Sequence, residues 1–378
     1  MERRCCVVPT HAKCTRYGEM PRFREGLYDL GRDTYAWMVP NGTWGESNAG
    51  LIVGDGEALL VDTLWDVGYT RTMLAAMETV LRGKPIGRVV NTHGDGDHFW
   101  GNQLLPDAET IATEAARHEM GSLSPASLVL LGRFGRMLSH VPLLGADVVG
   151  HWLRGMVAPY DFKPVKMAPA RRTFSGRESL DVGGRRVELI EVGPGHTEGD
   201  AIVYLPDEKV LFAGDVVFVG STPVMWSGPI DGCLRALDAI LELDVDVIVP
   251  GHGPITDKPG VRQLRAYWEF LETHVRRCRE NGLSAPAAAR EIALSAEFAA
   301  QPFAAWDSPE RIIVSVDTQY RHLAGRTRQP GKLGRLDLSR KQALLAHRMP
   351  DAEPHIQRQR SSAPGAVAAQ TGCTGGRS

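Results

Sequence analysis

The stretch Asn91-Thr92-His93-Gly94-Asp95-Gly96-Asp97-His98 places two imidazoles and two carboxylates within a few residues, spaced by glycines. The apolar run Ile86-Gly87-Arg88-Val89-Val90 precedes it and reads as a short strand. The polar groups therefore leave a strand end on a loop that glycine lets turn tightly. Histidine nitrogens and carboxylate oxygens at this density suit a divalent metal. A polar, glycine-rich surface loop is the plainer reading, and the rest of the chain argues against it.

Three more segments repeat the pattern. Val187 to Val192 reads as a strand and runs into Gly193-Pro194-Gly195-His196-Thr197-Glu198-Gly199-Asp200. Val210-Leu211-Phe212-Ala213-Gly214-Asp215 is an apolar strand ending in Gly-Asp, and Val247-Ile248-Val249-Pro250-Gly251-His252-Gly253 is one ending in Gly-His. One such end would be a capped or solvated histidine. Four of them predict a fold that gathers strand ends around a shared site.

These segments, in this order, resemble the metallo-β-lactamase superfamily of binuclear metallohydrolases over roughly residues 26 to 255. The runs Ser47 to Val53 and Leu59 to Thr63 resemble its opening strands. The resemblance implies an αββα sandwich, an α/β fold with two mixed sheets back to back, helices outside and metals at one edge. It also implies the ligands: His93, Asp95 and His196 for one ion, Asp97, His98 and His252 for the other, and Asp215 between them. Asp97 would further orient the attacking hydroxide and take up its proton. The expected cofactors are two divalent ions, zinc first, with iron or manganese as alternatives.

The family motif is His-x-His-x-Asp-His, and this chain has Asp95 where the second histidine belongs. With two divalent ions, a bridging hydroxide and two carboxylates the formal charge is about +1; a third carboxylate brings it to about 0. A less positive centre activates water less and accepts harder ions more readily. Either Asp95 ligates with that consequence, or it stays outside and leaves one position weak or empty.

Around the ligands, Asp62 ends an apolar strand and fits two roles, a buttress for a ligand histidine or a simple strand-end cap. The resemblance assigns Thr197 and Asp200 to bracing the His196 loop, and Trp44 to covering the cleft and contacting substrate. A partly buried turn aromatic is the alternative for Trp44.

Net charge is −2 over 378 residues, so no global basic field draws in nucleic acid. No apolar run reaches the roughly 20 residues of a membrane span, and the first residues lack a secretory apolar segment. The expectation is a cytoplasmic enzyme acting on a small-molecule acyl substrate, with no nucleic-acid or membrane partner. Oligomeric state is unspecified.

The chain divides into residues 1–25, expected loose; 26–255, the metallo-β-lactamase-like domain; 256–325, a C-terminal helical extension; and 326–378, expected mostly disordered with one short helix near Ser339 to His347. Asp66 is a candidate cap for a helix reaching Leu81. Residues 114–159, between ligand segments, read as a helical insert, favoured as a lid over the cleft, with an ordinary insert packed on the sheet edge or a dimer contact as the alternative. Val261, Leu264, Tyr267, Trp268, Leu271, Val275 and Cys278 fall on one helical stripe.

The function these readings favour is a hydrolase that uses a metal-bound hydroxide to cleave an ester, thioester or lactone, with a polyketide-type thioesterase or cyclase as the specific expectation. The alternative is an iron-dependent oxidoreductase of the same fold, a persulfide dioxygenase or a flavodiiron-like protein. A β-lactamase or a nuclease fits less well.

Overall fold

The computed structural model describes residues 5–143 and 145–349. Eight strands form one sheet in chain order, from Cys5–Pro9 through Gly26–Gly31, Thr34–Met38, Ala49–Val53, Ala58–Val61, Ile86–Val90 and Glu109–Thr113 to Arg172–Phe174. Five form the other, in the order Val247–Val249, Val210–Phe212, Ala201–Leu205, Arg186–Glu191, Arg177–Asp181. Both are mixed. Ala58–Val61 runs parallel to Ile86–Val90, and Val210–Phe212 parallel to Val247–Val249.

The sheets pack back to back. Met38, Ile52, Leu59 and Val90 of the first meet Leu189, Val203, Leu205 and Phe212 of the second in one buried cluster. Each outer face buries a helical layer. Trp37, Leu51 and Leu60 pack with Met73 and Met77 of helix Val67–Leu81. Ile202, Leu211 and Ile248 pack with Leu237 of helix Ile230–Glu242 and with the stripe of helix Lys258–Glu280. Alternation along the strands sends one set of side chains between the sheets and the other under the helices. This is the expected αββα sandwich.

The Asp66 cap falls where the sequence places it, and the structure adds a second at Asp257. Asp66 accepts from the Tyr69 N–H and Asp257 from the Gly260 N–H, each satisfying an orphan donor of a first turn. The insert is helical, with helices Glu114–Glu119, Pro125–Leu138 and Ala146–Val157.

The chain ends carry more structure than their composition suggests. Cys5–Pro9 pairs antiparallel with Gly26–Gly31, within the segment expected to be loose. Beyond residue 326, helix Lys332–Ala346 buries Leu338, Gln342, Ala343, Leu345 and Ala346. It packs against the insert helix Ala146–Val157. The rest of the expected disordered tail, 350–378, lies outside the described residues.

Candidate metal centre

Two parallel strand pairs explain why distant residues meet. Val61 pairs with Val90, and Phe212 with Val249. Parallel strands in register end at the same sheet edge, so the exits at Asp62, Asn91, Ala213 and Pro250 lie on one side. Asn48 ties the hairpin loop to this edge by donating from Nδ2 to the carbonyls of Pro250 and Gly253. Gly251 is required here, because a Cβ would overlap Asp215 Oδ1.

Six of the expected ligand residues converge. Donor atoms of His93, His196 and Asp215 form one group, and those of Asp97, His98 and His252 another, each within 4.8 Å of one another. Asp215 sits at the junction. Its carboxylate lies 3.9 Å from His93 Nε2, 3.2 Å from His98 Nε2, 3.3 Å from His196 Nε2 and 3.4 Å from His252 Nε2. Asp97 Oδ2 lies 3.5 Å from His252 Nε2. Asp95 stands apart from both groups. It reaches His196 Nε2 at 3.2 Å, and its side chain is 36% exposed, against 5% for Asp215.

Hydrogen bonds behind the rings set the tautomers. His196 Nδ1 lies 2.7 Å from the Val224 carbonyl, which can only accept, so Nδ1 carries the proton. His98 Nδ1 lies 2.9 Å from Asp62 Oδ2. Asp62 also accepts from the Thr92 N–H at 2.7 Å and the Thr92 hydroxyl at 2.8 Å. That hydroxyl, its proton committed to Asp62, accepts from His93 Nδ1 at 3.0 Å. Three histidines thus present bare Nε2 lone pairs to one volume when neutral. Asp62 touches His98 directly and reaches His93 through the Thr92 hydroxyl, the contacts that a buttress for two rings would make. Thr92, the relay to His93, was missed by the sequence reading although it adjoins the histidine in the motif.

This arrangement fits divalent ions. His93 Nε2, His98 Nε2 and Asp215 Oδ1 are buried and make no hydrogen bond among the described residues, although two of them lie 3.2 Å apart. Acceptors aimed at a common point rather than at each other are what a cation requires. The electrostatics agree. Burial opposes charge on His196, but Asp215 and Asp95 outweigh it and hold the ring up at about 10. Burial and the neighbouring His98 push His93 down to about 4. The carboxylates call for positive charge here, as protons or as metal.

Asp200 braces the His196 loop, accepting from the Thr197 N–H at 2.9 Å and the Thr197 hydroxyl at 2.6 Å. Glu119, at the end of an insert helix, accepts from the Glu198 N–H at 3.1 Å. Burial, then the nearby Asp95 and Asp200 carboxylates, push its carboxyl up to about 7. A folded-state acid pKa above the unfolded value adds stability at low pH, and that stability fades between about 4.5 and 7. Glu119→Gln cannot ionise. In chelator-treated protein its stability relative to wild type should rise from pH 5 to pH 8, by on the order of 2 kcal/mol. Urea unfolding at both pH values checks this; an unchanged difference would mean Glu119 ionises normally.

A pocket of about 110 Å3 opens over the cluster. Asp95, Asp97, His196, Asp215 and His252 line it with polar groups, and Trp44, Trp65, Leu123, Phe218 and Trp226 with apolar ones. Arg311 and Arg335 add two guanidinium groups. Trp44 thus reaches the cleft as expected and packs edge-on against Trp65 and Trp152. The insert borders the pocket at Leu123, so most of the apolar wall comes from elsewhere. Phe218 lies flat on His252, with ring centroids 5.1 Å apart.

The chain is 28% identical over 223 residues to the 2,4-dinitroanisole O-demethylase subunit alpha of Nocardioides sp. (strain JS1661), which covers 57% of this chain and 54% of that protein. It is 25% identical over 206 residues to the hydroxyacylglutathione hydrolase of Brucella ovis, covering 54% of this chain and 62% of the relative. The chain therefore spans little more than half the length of these curated relatives. A stereoselective inverting sec-alkylsulfatase from Pseudomonas sp. superposes with a TM-score of 0.59 at 19% identity, over 79% of this chain and 50% of that one. That likeness is one of fold. The family model described as metallo-beta-lactamase superfamily matches residues 42–252. These residues include every strand exit that carries a candidate ligand, and the chain belongs to the metallo-beta-lactamase superfamily.

Proposed function

We propose that this chain is a hydrolase that holds two divalent ions and cleaves an ester or thioester bond of a compact small molecule. The observation that carries the reading is the convergence of bare imidazole nitrogens on the shared Asp215 carboxylate, beneath a pocket. His93, His196 and Asp215 would hold one ion, and Asp97, His98, His252 and Asp215 the other. Such ions, when bound, supply an activated water at neutral pH and polarise the scissile carbonyl. The protein keeps the His93, His98 and His196 rings fixed through Thr92, Asp62 and the Val224 carbonyl, so little reorganisation is needed during reaction. Asp97, facing the pocket, would orient the water and accept its proton. Trp44, Trp65 and Trp226 would exclude bulk solvent around the reacting bond.

The pocket volume narrows the substrate. About 110 Å3 is small beside the ~300–1,000 Å3 typical of ligand sites. A pocket this small supports a compact acyl group over a large polyketide-type one, which would have to extend beyond it. Two relatives are named for removing a group from a small molecule, one a demethylase and one a hydroxyacylglutathione hydrolase. That supports the class of reaction without fixing the bond.

Elemental analysis of protein purified without added metal, paired with turnover of phenyl acetate and a simple thioester, tests the reading. Two equivalents of metal per chain and turnover abolished by chelation are expected. Turnover that survives complete metal removal would sink it.

Asp95 is the open position in the proposed ligand set. It lies close enough to His196 to share an ion, and its carboxylate would draw the first position toward iron or manganese. Asp95→His should shift metal preference toward zinc and move the acidic limb of the pH–rate profile downward. Competition between metals and pH–rate profiles of both proteins check this. No change in either would place Asp95 outside the ligand set.

A further inference from the structure

We infer that Arg335 recognises an anionic group on the substrate, so that the pocket takes a compact molecule carrying a negative charge on an aromatic or other flat apolar body. The inference names the substrate class of the proposed hydrolytic site and rests on that reading. Arg335 comes from helix Lys332–Ala346, outside residues 42–252 that define the family. Its guanidinium lines the pocket beside Trp226, with Cζ 5.5 Å from the indole centroid.

The group is held in place by neutral partners and makes no direct ion pair among the described residues, although its charge is felt by Asp95 in the same pocket. Nη2 donates to Gln329 Oε1 at 2.6 Å. Arginine can only donate, so the Gln329 oxygen must face it and the amide nitrogen must face the other way. That nitrogen donates to Glu119 Oε1 at 2.6 Å and to Ser227 Oγ at 2.5 Å. Both ends of the Gln329 amide are therefore committed, and the guanidinium plane is fixed between it and Trp226. Among the described residues Arg335 makes no ion pair; Gln329 and Trp226 are its partners. A guanidinium whose direct contacts are neutral, with Asp95 acting on it only through space, keeps its remaining N–H donors for a carboxylate or sulfonate.

The charge balance of the centre makes this residue matter. With Asp95, Asp97 and Asp215 ionised, the ion-filled site has a formal charge near zero. It offers an anion little long-range attraction, so attraction must come from the wall. Arg311 also lines the pocket, but it is buried and already donates to the Thr222 carbonyl at 3.2 Å. It adds positive potential, whereas Arg335 offers a contact. Trp44, Trp65 and Trp226 supply faces for a flat ring.

The test is binding of benzenesulfonate to the full-length chain by titration calorimetry, with benzamide as the uncharged ring of similar size. Wild type should bind benzenesulfonate more tightly than benzamide. Arg335→Gln should weaken benzenesulfonate at least tenfold while changing benzamide much less, and Arg335→Lys should recover part of the loss. Equal benzenesulfonate affinity in wild type and Arg335→Gln overturns the inference, as does an equal loss for both probes, which would make Arg335 a packing element. Failure of wild type to bind benzenesulfonate overturns it too. A parallel comparison of kcat/KM for phenyl acetate and its 4-sulfonated counterpart should favour the sulfonated ester in wild type, with the preference reduced in Arg335→Gln. If neither ester is cleaved while benzenesulfonate binding still depends on Arg335, the hydrolytic reading fails and the anion site stands.

Discussion

Asp215→Asn is expected to yield a folded protein that holds metal poorly and has lost roughly 10³-fold or more in kcat/KM, beyond the ~10–100-fold typical of altering a residue that only supports a ligand. The reason is geometric. Asp215 approaches all four histidines, and its Oδ1 is buried without a hydrogen bond. Asparagine has nearly the same shape but no charge, and one end of it is a donor. The four imidazoles would then surround a group that cannot bridge cations, and an N–H would point at positive charge. Metal equivalents per chain, circular dichroism and ester turnover check the result together. A folded variant with full metal content and near-normal turnover would remove Asp215 from its proposed bridging role.

Asp62→Asn should weaken metal binding about 10–100-fold without touching any proposed ligand. Asp62 has φ +62°, a left-handed conformation that asparagine also tolerates, so the backbone need not move. In wild type its carboxylate accepts from the Thr92 N–H and hydroxyl and from His98 Nδ1. If the new amide oxygen keeps the Thr92 N–H, the new NH2 faces His98 Nδ1. That ring must then accept at Nδ1 and carry its proton on Nε2, which removes its lone pair from the site. The Thr92 hydroxyl loses its acceptor as well, and with it the support of His93 weakens. If the amide flips instead, the buried Thr92 N–H loses its partner, costing about 1–3 kcal/mol of stability. Metal titrations and nitrogen chemical shifts of the imidazoles distinguish the outcomes. Unaltered affinity with His98 still protonated at Nδ1 would show that Asp62 is only a strand-end cap.

Much of the fold was legible because its signals are local. Strand exits into glycine, the cap at Asp66 and the stripe from Val261 to Cys278 each span a few residues, and each appears in the structure as read. The candidate ligands were legible for the same reason: donors must leave strand ends, and glycine must let backbones close in. Helix Lys332–Ala346 was not legible in full. Its buried positions include Gln342 and two alanines, too weak an apolar stripe to stand out in an arginine-rich stretch.

By itself, then, the sequence determined the donor types, their strand-end settings and the family they resemble, because these depend on residue chemistry and short-range backbone freedom. The tertiary structure alone decided which atoms face one another. Register between parallel strands brings Asp215 to all four histidines, a carboxylate behind the rings orients two of them, and Asp95 is left at the margin of the cluster. Packing of a polar helix delivers Arg335 beside Trp226. No local pattern encodes such contacts, since each is set by the summed packing of segments far apart in the chain rather than by the residues that meet.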